Sequence, residues 1–488
     1  MKQTSQAKRF SAKIIGIGCV LAGLILQGCA LWPFFTGPRG TEKSLGMAAA
    51  ELLAQAIRLN TVNPPGDERP VAELFERTLR RRGLETKLIP TPPGGSERGR
   101  AALWARLPGT GRRRPIVLLS HLDVVPAEPK AWIVDPFEGV LSGGNVVGRG
   151  ALDAKGVAVV HLFALLELLQ RDIELDRDVI LLATPDEETG GRDGAGFIVR
   201  QRRDLLRNAE YLLTEGGGIL IDAADTPPVW GVAVTEKIPC WLEITATGTS
   251  GHSAAEPVDA AVPRLIAALD RVRRFETELR VVPEVEKMFA ALAPLAPPEQ
   301  RDAYRDLPFS LHFDPPFRSS FLADRSRAAL VRDTIAITVL EGSQRTNVIP
   351  ASARAHLDVR LLPGESCEEF TNTLRLTIAD PGVQIEPLLS FKTKSSPADT
   401  ELFRAIERVA MKIDPGALVV PRVIAGFTDA HYFRDLGIVA YGFVPRWLPA
   451  DETRGIHGSN ERISLDNLER GIETLIRILV ELNAEPSS

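Results

Sequence analysis

The chain has 488 residues, 44% of them hydrophobic and 25% charged, and a formal net charge of −5. That length predicts two or three structural units rather than one core, and the composition excludes disordered and fibrous classes. Arg80 to Arg82 and Arg112 to Arg114 are solvated runs too short to form a nucleic-acid groove, so no nucleic-acid partner is expected.

Residues 1–29 read as a targeting segment. Lys2, Lys8, Arg9 and Lys13 precede an apolar run from Ile14 to Leu26. The run is shorter than the ~20 residues that span a bilayer, but it suits a signal-peptide core. Leu26-Gln27-Gly28-Cys29 resembles a bacterial lipobox. It predicts lipidation at Cys29 and an exported protein whose only membrane contact is this anchor; an uncleaved signal anchor is the alternative. Residues 30–45 form a linker. Only Cys240 and Cys367 remain beyond it, far apart and outside any CxxC, and no disulfide framework follows from them.

From 46 to 237 short apolar strands alternate with helical patterns. Ala48 to Leu59 is helical, and Ile116 to Leu119, Val179 to Ala183 and Tyr211 to Leu213 are unbroken apolar runs, as in strands buried on both faces. Val157 to Leu169 is long and apolar enough for a buried helix. The alternation predicts an α/β fold with a mostly parallel sheet flanked by helices. Near residue 238 the texture changes. Trp241 to Thr247 and Ala353 to Leu361 alternate apolar and polar residues, the pattern of an antiparallel sheet with one wet face, with a helix from Ala260 to Phe275 between them. A smaller α+β unit over 238–363 is expected, with an irregular insertion at 283–316. The first texture resumes over 364–488 and ends in a helix from Leu465 to Leu482.

Ionisable residues gather just beyond the expected strand ends: His121 and Asp123, then Asp186-Glu187-Glu188, then Glu215, with Asp153 before the buried helix. That edge of an open α/β sheet is where ligands bind. So many carboxylates together call for cations, and imidazole plus carboxylate is a zinc donor set. In His121-Leu122-Asp123 the spacing places both side chains on one side of an extended segment. Asp123 can then take the second imidazole N–H. Glu187 and Glu188 are adjacent, so one is expected to ligate and the other to work on water. His161, His312 and His356 lack partner spacing and read as structural, and no GxSxG elbow supports serine catalysis.

Ser120-His121-Leu122-Asp123-Val124-Val125-Pro126, Gly148-Arg149-Gly150-Ala151-Leu152-Asp153 and Asp186-Glu187-Glu188 occur in one order with Glu215-Gly216-Gly217, Gly251-His252-Ser253, Asn347-Val348-Ile349-Pro350, Asp358-Val359-Arg360 and His457-Gly458-Ser459-Asn460-Glu461. This ordered set resembles the co-catalytic zinc family that holds carboxypeptidase S, aminoacylase, acetylornithine deacetylase, succinyl-diaminopimelate desuccinylase and glutamate carboxypeptidase. Its spelling is most similar to the carboxypeptidase S and secreted N-acyl-amino-acid hydrolase branch. The resemblance covers nearly everything after residue 45 and implies a zinc-exopeptidase sheet interrupted by a lid.

It implies two Zn2+ ions, with other divalent metals such as Co2+ as alternatives. His121 and Glu215 would hold one ion, Glu188 and His457 the other, and Asp153 would bridge them. Glu187 would be the general base, and Asp123 would be the catalytic residue that orients His121. His252 would stabilise the oxyanion, in several relatives from a partner subunit, so a homodimer through the lid is part of the expectation. Asn347, Arg360 and Gly426 would bind substrate, a short peptide or N-acyl amino acid with a free carboxylate. Alternatives are an N-fatty-acyl amino acid hydrolase or synthase and a non-catalytic peptide-binding lipoprotein. Where many relatives have Gly-Gly-Thr-x-Asp-Ala-Arg, this chain has Ala425-Gly426-Phe427-Thr428-Asp429-Ala430-His431, so Phe427 and His431 set its substrate loop apart.

Overall fold

A computed structural model describes residues 44–92, 99–221, 226–449 and 452–483. The architecture is mixed α/β, with a large, mostly parallel central sheet flanked by helices and a separate four-stranded sheet. At the heart of the large sheet, Val179–Thr184, Ile116–His121, Tyr211–Thr214 and Val439–Gly442 lie side by side in parallel. Every position of the first three is buried, which is why they read as unbroken apolar runs.

Alternate residues of these strands feed two cores. Ile116, Leu118, Val179 and Leu181 face the helices Leu45–Arg58, Lys155–Gln170, Glu401–Ile413 and Leu465–Asn483. Val117, Leu119, Ile180 and Leu182 face Ala195–Gln201 and Ala430–Asp435. Covering both faces leaves the carboxyl ends of the strands as the open edge.

The smaller sheet is antiparallel, in the order Thr334–Glu341, Ser352–Leu361, Ile238–Thr247, Val383–Ser390. Helices Ala261–Arg274 and Cys367–Ile378 cover one face of it. Because Val383–Ser390 pairs with Ile238–Thr247, this sheet takes in residues beyond the boundary expected at 363.

Residues 283–316 are not irregular. They form helices Pro283–Leu292, Arg301–Arg305 and Leu307–Phe313 and lead into Pro315–Ala323. Phe289, Tyr304, Phe317 and Phe321 pack together there in a core that also takes in Leu362, Val420 and Val423. Prolines stand at helix starts, where a missing N–H is harmless. Most of the helices are too short for their period to show in sequence.

The membrane tether expected of the N-terminal segment is corrected. Among the described residues no helix is long and apolar enough to cross a membrane. The segment itself, Cys29 included, lies outside the described residues, and the tethered localisation is dropped.

Cys240 and Cys367 form a disulfide across a Cα–Cα distance of 5.4 Å, joining a middle strand of the smaller sheet to the start of its helix. The long chain interval hid a pairing that the fold makes local. Cys367→Ser is expected to cost about 2–4 kcal/mol, read as a lower thermal midpoint under non-reducing conditions. An unchanged midpoint would show that the bond contributes nothing.

Candidate metal centre and active site

His121 ends its strand, Glu187 and Glu188 follow Val179–Thr184, and Glu215 follows Tyr211–Thr214. The chain turns into helix Lys155–Gln170 at Asp153, and His457 arrives from a loop near the far end of the chain. His121 Nε2 lies 3.0 Å from Asp153 Oδ1 and 3.4 Å from Glu215 Oε2. His457 Nε2 lies 3.2 Å from both Asp153 Oδ2 and Glu188 Oε2. Each oxygen of Asp153 therefore faces a different imidazole.

Two buried carboxylates hold this constellation in place. Asp123 is fully buried and accepts the backbone N–H groups of Glu187 at 3.1 Å and Glu188 at 3.0 Å. The second nitrogen of His121 meets the backbone carbonyl of Asp123 at 3.0 Å and its Oδ1 at 3.4 Å. Glu461 accepts from the backbone of Gly150, Leu152 and Asp153 and from Arg149 at 2.8 Å, while Arg149 also donates to the carbonyl of His457. This fastens the Asp153 turn to the loop that carries His457.

Sequence reasoning missed the polar layer behind Asp123. Asn63 donates to Asp123 at 2.9 Å, and Arg100 binds Asn63 and Asp186. Arg100 also stands 3.6 Å from Glu68, whose two carboxylate oxygens are buried without a hydrogen bond. Such residues have no periodic signature. The Asn63-Pro64-Pro65 turn was the one available hint.

A cavity of about 560 Å³ opens onto Asp153, Glu187, Glu188, Glu215 and His457. Arg360 and Gly426 also line it, together with Phe427, Arg422 and Arg446, none of the last three predicted as site residues. His252 and Asn347 do not. Both are exposed, His252 on a two-stranded ribbon in which Gly251–His252 pairs with Val348–Ile349, and Asn347 in the turn that leads into it. His431 is buried and stacked on Phe391 with ring centroids 3.5 Å apart, and His161 is a buried helix residue whose ring nitrogens have no partner.

Charge in the cluster is badly balanced. Burial, then Glu215, pushes Glu187 well above the usual carboxylate range, and burial lifts Glu215 to about 7. Burial would raise Asp153 too, but hydrogen bonds from His121 and His457 outweigh it and hold it well below that range. Hydrogen bonds to Asp153 and Glu188 raise His457 to about 10. Four carboxylates thus face two imidazoles, and Glu188 Oε1 is buried without a partner.

The residues fit divalent metal. His121–Asp153–Glu188 and His121–Glu187–Glu215 each offer donors within 4.8 Å of one another. The second grouping includes Glu187 by distance. The short contacts are the better guide, because they involve Asp153, Glu188 and Glu215 with the histidines, and Glu187 with neither.

Residues 117–481 match the sequence model of peptidase family M20/M25/M40. The chain belongs to this family. It is 32% identical over 384 residues to the N-fatty-acyl-amino acid synthase/hydrolase PM20D1 of Xenopus tropicalis, covering 75% of this chain and 72% of that protein. It is 27% identical over 448 residues to human aminoacylase-1, covering 89% and 95%. The M20 family metallo-carboxypeptidase Sso-CP2 of Sulfolobus solfataricus shares the fold with a TM-score of 0.68 at 19% identity, covering 90% of this chain and all of that one. The di-peptidase Dug1p of Saccharomyces cerevisiae does so with a TM-score of 0.67 at 17% identity, covering 91% and 97%. The chain is a hydrolase of a metal-dependent amide-cleaving family.

Burial first, and Asp123 next, push the Glu68 carboxyl up from 4.5 to about 8. The folded state keeps that proton longer than the unfolded chain does. Its contribution to stability is therefore full below about pH 4.5 and is lost as pH rises through about 8. Glu68→Gln is expected to track wild type near the bottom of this window and to gain on it towards the top. Denaturant midpoints across the window test this; a constant offset would contradict it.

Proposed function

We propose that the chain hydrolyses the amide bond of an N-acyl amino acid or short peptide that keeps a free carboxylate, with two metal ions. The placement of Asp153 carries this reading, with Oδ1 facing His121 and Oδ2 facing His457 at 3.0 and 3.2 Å. His121 and Glu215 would hold one ion, Glu188 and His457 the other, with Asp153 shared between them. Two zinc ions, or another divalent metal such as cobalt, would supply Lewis acidity for the scissile carbonyl and acidify a water.

Glu187 is the general base. It lines the cavity beside the ligand set, and its raised proton affinity suits a group that takes a proton from the attacking water and hands it to the leaving nitrogen. Asp123 acts through geometry, holding the backbone of both glutamates.

Arg360 reads the substrate carboxylate. Asp358 takes its Nε and Nη2, and Phe427 and Trp241 lie against it, which leaves Nη1 buried without a partner in a wall of the cavity. Gly426 has open space in front of it for a close backbone approach. His252 and Asn347, on the exposed ribbon and the turn beside it, would serve the site across the interface of a homodimer formed through the smaller sheet.

An acyl group is favoured over a second amino acid by the apolar wall of Leu220, Ile424 and Ile456. The names of the relatives N-fatty-acyl-amino acid synthase/hydrolase and aminoacylase support the same choice.

Glu187→Gln should retain its metal and lose about 10²–10⁴-fold in turnover. Loss of half the metal with appreciable turnover would exchange the roles of Glu187 and Glu188. Wild type should also prefer N-acyl amino acids over their α-amides by about ten- to a hundred-fold, and equal rates on acid and amide would remove the role given to Arg360.

A further inference from the structure

Three guanidinium groups line the cavity, and two of them are already engaged. Arg360 is paired with Asp358. Arg446 donates to the carbonyl of Leu152 and faces Asp153, Glu215 and Glu461. The third, Arg422, is half-buried and has no hydrogen bond or ion pair among the described residues. Burial alone acts on it, pushing its proton affinity below the ordinary value, and no neighbouring charge offsets that.

Leaving a cation partly desolvated and unpaired costs stability. The fold nevertheless makes room for it. Arg422 belongs to the strand Leu418–Ile424, which pairs with Val229–Glu236. Its side chain fills the space that a Cβ on Gly231 would need. Gly231 is paired on its other side with Gly218, at the start of the strand Gly218–Ile221. The stem of Arg422 therefore crosses the sheet over a residue with no side chain, on the face that carries Leu220 and Ile424, two apolar residues that line the cavity.

We propose that Arg422 is an anion subsite for the acyl end of the substrate, so that the preferred acyl group is an apolar stem ending in a second carboxylate. This rests on the amide-hydrolase reading above, in which Arg360 takes the carboxylate of the amino acid. The substrate is then the half-amide of a dicarboxylic acid with an amino acid. Hydrolysis consumes one water and releases the dicarboxylic acid and the free amino acid. One planar fork suits one carboxylate bound side-on, and the apolar wall suits the methylene groups leading to it.

The test compares N-adipoyl-phenylalanine with N-hexanoyl-phenylalanine, which differ in ending with a carboxylate or a methyl group. Both are offered to metal-loaded wild type and to Arg422→Met, and the thermal midpoint of each protein is measured without substrate. Wild type should favour the adipoyl compound in kcat/KM by about ten- to a hundred-fold. Arg422→Met should reverse that preference by slowing the adipoyl and speeding the hexanoyl reaction, and its midpoint should equal or exceed that of wild type, since an unpaired charge has been removed.

Wild-type preference for the hexanoyl compound would overturn the proposal, as would an equal loss on both substrates. A lower midpoint for Arg422→Met would overturn it by revealing a structural ion pair. A loss of acid-over-amide discrimination in the variant would assign Arg422 to the amino-acid carboxylate instead, again overturning it. Failure of wild type to cleave any N-acyl amino acid would sink the amide-hydrolase reading itself, a result distinct from all of these.

Discussion

Carboxylates held a few ångströms apart in a poorly solvated cleft repel one another, and that repulsion is the constraint around which this molecule is built. Asp153, Glu187, Glu188 and Glu215 share one edge of the central sheet with two imidazoles. Protons can relieve the crowding, as the raised affinities of Glu187, Glu215 and His457 show. Divalent cations relieve it better, because each meets several donors at once. A group of charges that would spring apart if left alone has to be clamped from behind, and much of the surrounding structure does that.

The clamps share a design. Asp123 and Glu461 are both fully buried, and both accept backbone N–H groups rather than reaching the cavity themselves. Backbone groups are stiffer handles than side chains, so a carboxylate that gathers them fixes the path of the chain and with it the direction of the neighbouring side chains. The parallel strands add the coarse alignment, since strands that end at one level deliver their following residues to one edge. A layer further back, Arg100 and Asn63 hold Asp123 and Asp186 in turn.

Much of this is legible in the amino-acid sequence. The fully buried strands announce themselves as apolar runs, and the acidic turns beyond them already place the chemistry at the strand ends. The polar layer of Asn63, Glu68 and Arg100 is not legible, because a buried ion pair follows no period and its members are far apart in the chain. The helices of 283–316 are hidden by their prolines, which suggest breaks in sequence and act as helix starts in space. The Cys240–Cys367 bond is hidden by chain distance. His252 and Asn347 show the opposite case: their motifs stand out in sequence, yet the fold sets them on a ribbon and its adjoining turn, outside the lining of the cavity. Arg422 gives no sign in sequence at all. Its significance depends on Gly231 lying under its stem.

Glu461 ties residues 148–153 to the loop of His457, and this bears on how the protein is made. During synthesis the strands bearing His121, Glu187 and Glu215 leave the ribosome long before the segment that completes the cluster. The cluster cannot be complete until residues 457–461 join it, because Glu461 aligns the backbone of Asp153 and His457 faces both Asp153 and Glu188. Competence therefore waits for the segment that brings His457 and Glu461. A nascent chain that has not yet made residues 457–461 has no complete centre, so hydrolytic activity waits for a segment far removed in sequence from the strands that carry the other donors.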